Sequence, residues 1–168
     1  NPPNIIVHLA ANNPAYKDIS YKKFYKENIL GSKNLFFSSH KYNPKLKFIF
    51  ANSSQIFKKK KGTVTENSEK IIAKDYTKFY AKFRIEFDKF MLRQNINYTC
   101  LIFFNHDSIY RSKKFLFPRL IEAIKKRNKK FLNEILNYNI HGDFSHAEDI
   151  CNAIYKVILI KKRIKRLI

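Results

Sequence analysis

The run Leu101-Ile102-Phe103-Phe104 breaks abruptly into Asn105-His106-Asp107-Ser108, and this break constrains the fold more than any other part of the chain. An uninterrupted apolar run of strand length reads as a strand buried on both faces. Two other segments have the same form, Ile5 to Ala11 and Lys47 to Ser54, the second finishing in Asn52-Ser53-Ser54. Strands buried on both faces belong to parallel sheets covered by helices, so the expected class is α/β. In open sheets of that class ligands bind beyond the carboxyl ends of the strands. The polar exits of these runs therefore mark the edge where a site is expected.

The segments between the runs carry helical patterns. Asp18 or Ser20 can cap a helix from about Tyr21 to Ser39, with Phe24, Ile29, Leu30 and Leu35 on one face. Lys58 to Lys70 is polar, contains Gly62 and reads as a loop. A second helix is expected from Ile72 to Arg93, because Tyr76, Phe79, Tyr80, Phe83, Phe87, Phe90 and Met91 recur at spacings of three and four. Beyond the third strand, Pro118 suits the first turn of a helix reaching about Lys130. A short strand is expected over Glu134–Tyr138, a turn at His141-Gly142-Asp143, and a last helix over His146–Leu159. Strand, helix, strand, helix, strand is the order of a parallel sheet with right-handed crossovers.

At 168 residues the chain can bury a real core, and 45% hydrophobic with 15% aromatic residues excludes a disordered protein. No apolar run approaches the roughly 18 residues that span a bilayer, so no membrane partner is expected, and a cytoplasmic location is. The amino-terminal residues have no basic leader segment, and since the first residue is not Met, the true start is expected upstream. Cys100 and Cys151 have no CxxC spacing and are expected to be two buried thiols. No three side chains have a metal-ligand spacing, so no metal is expected. The net charge of +21 would attract nucleic acid or another polyanion. The basic residues are spread along the whole chain, however, in a background rich in Lys, Asn, Ile, Phe and Tyr and lacking Trp. Compositional drift is the favoured explanation, and a nucleic-acid partner is not expected.

Five short motifs, in order and at compatible spacings, carry a resemblance. Leu9-Ala10-Ala11 matches a Leu-Ala-Ala strand end, and Asn28-Ile29-Leu30-Gly31-Ser32 an Asn-x-x-Gly-Thr helix motif. Asn52-Ser53-Ser54-Gln55 answers Ser-Thr-Ser-Glu, and Phe103-Phe104-Asn105-His106-Asp107-Ser108 answers Leu-Phe-Asn-His-Glu-Ser. Asp143-Phe144-Ser145-His146-Ala147-Glu148-Asp149 matches Asp-Trp-Gly-His-Ala-x-Asp. From Ile5 to Leu159 the chain resembles the extended short-chain dehydrogenase/reductase (epimerase/dehydratase) superfamily, and within it the GDP-mannose 4,6-dehydratases.

The resemblance implies a Rossmann-like parallel sheet with flanking helices. It implies that 1–110 is the later portion of a nucleotide-binding domain and 111–168 the beginning of a sugar-nucleotide region. The implied chemistry is an NADP-dependent lyase that converts a nucleotide-linked hexose, GDP-mannose, to its 4-keto-6-deoxy form. Tyr76 would then be the catalytic Tyr, Ser53 would bond the substrate hydroxyl, and Gln55 would stand at the elimination position. Leu9, Ala10, Ala11, Ser53, Tyr76 and His106 would line the cofactor, and Asn105 and Arg111 would hold the substrate. A homo-oligomer is among the implied partners.

The departures from the family's pattern matter as much. Its Lys four residues beyond the Tyr falls on Tyr80, and Lys78 and Lys82 lie at the wrong helical angle to replace it. Its Glu falls on Gln55, whose amide cannot transfer a proton. The glycine-rich turn of a dinucleotide fold is missing, since glycine occurs only at 31, 62 and 142. The expectation is an incomplete or degenerate member, lacking the glycine-rich βαβ unit and part of the substrate domain, with a non-catalytic basic binding domain as the alternative. Without the resemblance, Tyr76 reads as core, Asn105 and His106 equally as turn caps, His146 as a helix cap and His8 as a core histidine.

Overall fold

The computed structural model describes residues 1–12, 20–58, 62–71, 78–138 and 142–168. These form two compact units, Asn1–Phe103 with Ile160–Ile168, and Phe104–Leu159.

The first unit is a four-stranded sheet in the order β1-β2-β3-β6, comprising β1 (Ile5–His8), β2 (Lys47–Ser53), β3 (Asn97–Phe103) and β6 (Arg166–Leu167). Every pairing is parallel, with Val7 opposite Ile49, Phe50 opposite Cys100 and Leu101 opposite Leu167. The three apolar runs thus contain strands, as expected, but the first corrects the expectation of burial on both faces: β1 ends at His8, which is its one buried residue, and Leu9 to Ala11 are exposed. The helical stretch between β1 and β2 comprises α1 (Tyr21–Tyr25), a π-helical turn (Lys26–Leu30) and α2 (Gly31–Tyr42). Ser20 caps its start, accepting from the Lys23 amide. The π turn falls where two buried polar side chains sit four residues apart, Asn28 and Ser32, and the Ser32 hydroxyl donates back to the Asn28 carbonyl. Such back-bonding competes with the regular helix ladder and distorts it. After β2, a 3-10 turn (Ser54–Ile56) and an antiparallel bridge, Phe57 to Lys70, frame the polar loop.

The described part of the second helix is α3 (Lys78–Arg93); the expected turns at 72–77, Tyr76 included, lie outside the described residues. Phe83, Phe87 and Met91 of α3 pack with Phe48 and Phe50 of β2, Tyr98 and Cys100 of β3, and Phe24, Ile29 and Phe36 of the first helical stretch in one core. Phe87 is fully buried, with its ring 4.8 Å from that of Phe50. Truncating such a ring costs about 3–5 kcal/mol.

The carboxyl-terminal basic run is tied down. The Cys100 amide donates to the Lys165 carbonyl at 2.9 Å and the Thr99 hydroxyl to the Ile164 carbonyl at 2.8 Å. Arg166 donates through Nε and Nη2 to the Asp88 carboxylate at 3.1 and 2.7 Å. Asp88 is buried and also accepts from the Tyr98 hydroxyl at 3.0 Å. A buried carboxylate requires such partners, and β6 supplies the cation.

The second unit holds β4 (Asn105–Asp107) and β5 (Phe144–His146), paired in parallel, with α4 (Leu116–Lys125), α5 (Lys129–Leu136) and α6 (Ala147–Leu159). Two expectations are corrected here. The single helix to Lys130 is two, because Arg127 adopts a φ of 50° and Asn128 starts a new helix by accepting from the Phe131 amide. The expected strand at Glu134–Tyr138 is the end of α5 and its exit, since five residues of mixed polarity fit either period.

Candidate functional site

Because β1, β2 and β3 run parallel, their carboxyl ends share one edge of the first unit. Leu9, Ala10 and Ala11 leave β1 there exposed, Leu9 by 55%. The strand exit is anchored just beyond them, where the Asn12 amide donates to Asn28 Oδ1 at 2.8 Å. That bond explains a buried Asn in a helix and links the β1 exit to the π turn. The His8 ring lies 2.7 Å from the Ser32 hydroxyl, and burial followed by the Arg84 charge lowers its pKa to about 4. His8 is thus a neutral core histidine, which fits the reading made without the resemblance.

At the β2 exit, Asn52 is buried and its amide donates to Cys100 Sγ at 3.4 Å. Ser53 is half-buried, and its hydroxyl accepts from the Gln55 amide at 3.3 Å, starting the 3-10 turn. Gln55 itself is exposed. The two sequence-selected side chains are thus neighbours, but neither carries a proton that titrates near neutrality. Cys100 does not supply one either, because burial, followed by the Asp88 charge, pushes its thiol up to about 12. Cys151 corrects the expectation of two buried thiols, being exposed on α6.

Tyr80 is half-buried, and its hydroxyl accepts from Arg84 Nη2 at 3.0 Å. One helical turn further on, Arg84 is buried and sends Nη1 across to the Ala51 carbonyl at the end of β2. Its guanidinium carbon lies 4.8 Å from the Tyr80 ring centroid and 5.1 Å from that of Phe50. The chain thus places a cation against this strand end. Sequence reasoning missed Arg84. The signal was the i, i+4 pair Tyr80–Arg84 on the aromatic stripe.

In the second unit, Asn105 is exposed on β4 opposite Phe144, and the His106 ring lies 2.9 Å from the Phe104 carbonyl. Asp107 and Ser108 accept backbone amides of the following turn. Arg111 folds back so that its guanidinium stacks 3.7 Å from the Phe115 centroid. A Cβ at Gly142 would come within 2.9 Å of the Phe144 ring. A side chain at 142 would displace that ring. His146 Nδ1 accepts from the Glu148 amide at the start of α6, the capping geometry expected of it. Among the described residues no cluster of His, Cys, Asp or Glu could hold a metal ion, and no helix is long and apolar enough to cross a membrane.

A family model, the NAD dependent epimerase/dehydratase family, matches residues 1–166. Solved structures share the Rossmann-like α/β fold. One is UDP-glucuronic acid 4-epimerase from Bacillus cereus in complex with UDP-glucuronic acid and NAD, 18% identical with a TM-score of 0.75, covering 98% of this chain and 52% of that one. Another is dTDP-glucose 4,6-dehydratase from Bacillus anthracis in complex with NAD, 18% identical, TM-score 0.71, covering 97% and 50%. A third is RMD from Pseudomonas aeruginosa complexed with NADPH, 15% identical, TM-score 0.77, covering 98% and 59%. The chain spans between half and three-fifths of the length of these structures. No curated protein was found to match it.

Proposed function

This chain belongs to the NAD dependent epimerase/dehydratase family, and from that premise we propose that it is the framework of a nucleotide-sugar dehydratase of the GDP-mannose type, cytoplasmic, whose catalytic chemistry has been lost. The observation that carries the proposal is the state of the strand exits. By the motif order the family's carboxyl position falls on Gln55, exposed at the exit of β2, and its Lys position on Tyr80, whose hydroxyl accepts from Arg84. An amide neither gives nor takes a proton at neutral pH.

The lineage's cofactor on this reading is a nicotinamide dinucleotide, NADP. The residues present fit only part of it. Leu9, Ala10 and Ala11 are exposed at the same sheet edge where β2 ends in Ser53, and offer apolar surface to a flat ring system. None of the three glycines follows β1, so no close-approach turn is offered there to a pyrophosphate. No catalytic step is therefore derived through it. In this reading 1–110 is the nucleotide-binding portion and 111–168 the substrate portion, with Tyr76 as the former acid–base residue, His106 beside the cofactor, and Asn105 and Arg111 toward the sugar nucleotide. The support for these roles is the motif order alone.

The test is a coupled binding and turnover measurement on the full chain. Incubated with NADPH or NADP and GDP-mannose, it is expected to give no shift in NADPH fluorescence and no 4-keto sugar product. Product formation above the level of a heat-denatured control would overturn the proposal.

A further inference from the structure

In the unit Phe104–Leu159, helix α4 exposes more than it buries. It buries Ala123 and half-buries Leu116 and Leu120, while Phe117, Ile121 and Ile124 are 36%, 53% and 63% exposed. At 100° per residue those three share one shoulder of the helix, with Lys125 next around it. The Phe117 ring stands edge-on to that of Phe144, itself exposed, at 5.0 Å. The surroundings are strongly basic. Residues 111–130 hold nine Lys and Arg against one acid, Glu122, which is already paired with Lys126 at 2.7 Å. Lys125, Lys126, Arg127, Lys129 and Lys130 are all exposed across the junction of α4 and α5, Lys126 on the side of α4 away from the shoulder.

We propose that this face of α4 is a peripheral binding surface for an anionic lipid bilayer, with Phe117, Ile121 and Ile124 entering the acyl boundary and the Lys125–Lys130 cluster meeting the headgroups. Two features must be matched together, an apolar shoulder and a cationic rim. Nucleic acid satisfies the rim but has no use for exposed isoleucines. A second copy of this chain covers the shoulder but brings its own positive charge against the rim, at a net +21 per chain. A bilayer surface with anionic headgroups satisfies both, which is the pattern of helices that lie in the interface. The expectation of no membrane partner rested on the length needed to span, and lying on a surface needs no such length. The proposal does not depend on the dehydratase reading.

The chain contains no Trp, so Ile121→Trp gives a single reporter. The full chain is mixed with vesicles of phosphatidylcholine alone and of equal parts phosphatidylcholine and phosphatidylglycerol. Cosedimentation and a blue shift of the indole emission are expected with the second and not the first, weakening as salt rises. Ile121→Gln with Ile124→Gln, neutral changes at exposed positions, should lower the partition coefficient by about tenfold. Lys125→Gln, the basic residue next to the shoulder, should lower it by about fivefold. Two results would each overturn the proposal. One is no cosedimentation of the parent chain with the anionic vesicles at low salt. The other is anionic-vesicle binding that the isoleucine pair leaves unchanged, which, together with equal binding of duplex DNA by parent and variant, would mark a simple polyanion surface.

Discussion

His8 contacts Phe48, Phe50 and Phe87 with its ring and Ser32 with a ring nitrogen, and Arg84 adds a positive charge nearby. Burial among these rings, followed by the Arg84 charge, disfavours the imidazolium and lowers its pKa from 6.5 to about 4. The sign of the consequence follows from linkage: in this interval the unfolded chain binds a proton that the folded chain refuses. The stabilisation is complete above pH 6.5 and is lost as pH falls toward 4, by up to about 3 kcal/mol. Thermal melts across that range should fall more steeply for the native chain than for His8→Asn, and parallel curves would refute the assignment. His8 was legible as a core residue because it interrupts an apolar run. Arg84 was not legible as its neighbour, since the guanidinium reaches a carbonyl 33 residues away in sequence. The polar exit of β2 at Asn52-Ser53-Ser54 was legible because small polar residues closing an apolar run are a local signal.

Among the elements, β6 has two residues and owes its place to a side chain, not to its ladder. Asp88 holds Arg166 by two hydrogen bonds and Tyr98 by a third. Asp88→Ala leaves a part-buried guanidinium and a buried phenol unmatched, a change that costs up to about 3 kcal/mol. The expected signature is local as well as global. The Cys100 amide, bonded to Lys165, should lose hydrogen-exchange protection, and a thiol reagent that reacts only with the exposed Cys151 in the native chain should then reach Cys100. Continued protection of both would show that the ladder alone retains the strand. This element explains which parts of the fold could be read in advance. β1, β2 and β3 declare themselves through continuous apolar runs. The pairs made by β4, β5 and β6 are two or three residues long, below the reach of any periodicity, and β6 depends on a partner 78 residues away.

For the molecule as a whole, two features bear on its behaviour in solution. Within the described sheet β1 pairs on one side only, with β2, and Ile5 is 37% exposed on it. An open strand edge with apolar side chains invites pairing between chains, and a high net charge opposes it at low salt. Self-association should therefore rise with salt as the charge is screened. Sedimentation velocity should show this for the native chain and much less for Ile5→Lys, while one species at all salt concentrations would count against an available edge. The other feature is that Ile160–Ile168 returns to the unit begun by Asn1–Phe103, with all of Phe104–Leu159 between them. On a ribosome, β3 leaves the exit tunnel long before the strand that flanks it. Its outer edge must wait while the intervening unit is made, and Asp88 stays without its cation throughout. The order of synthesis and the order of assembly thus diverge, and the interval between them is when a nascent chain of this design most needs a chaperone.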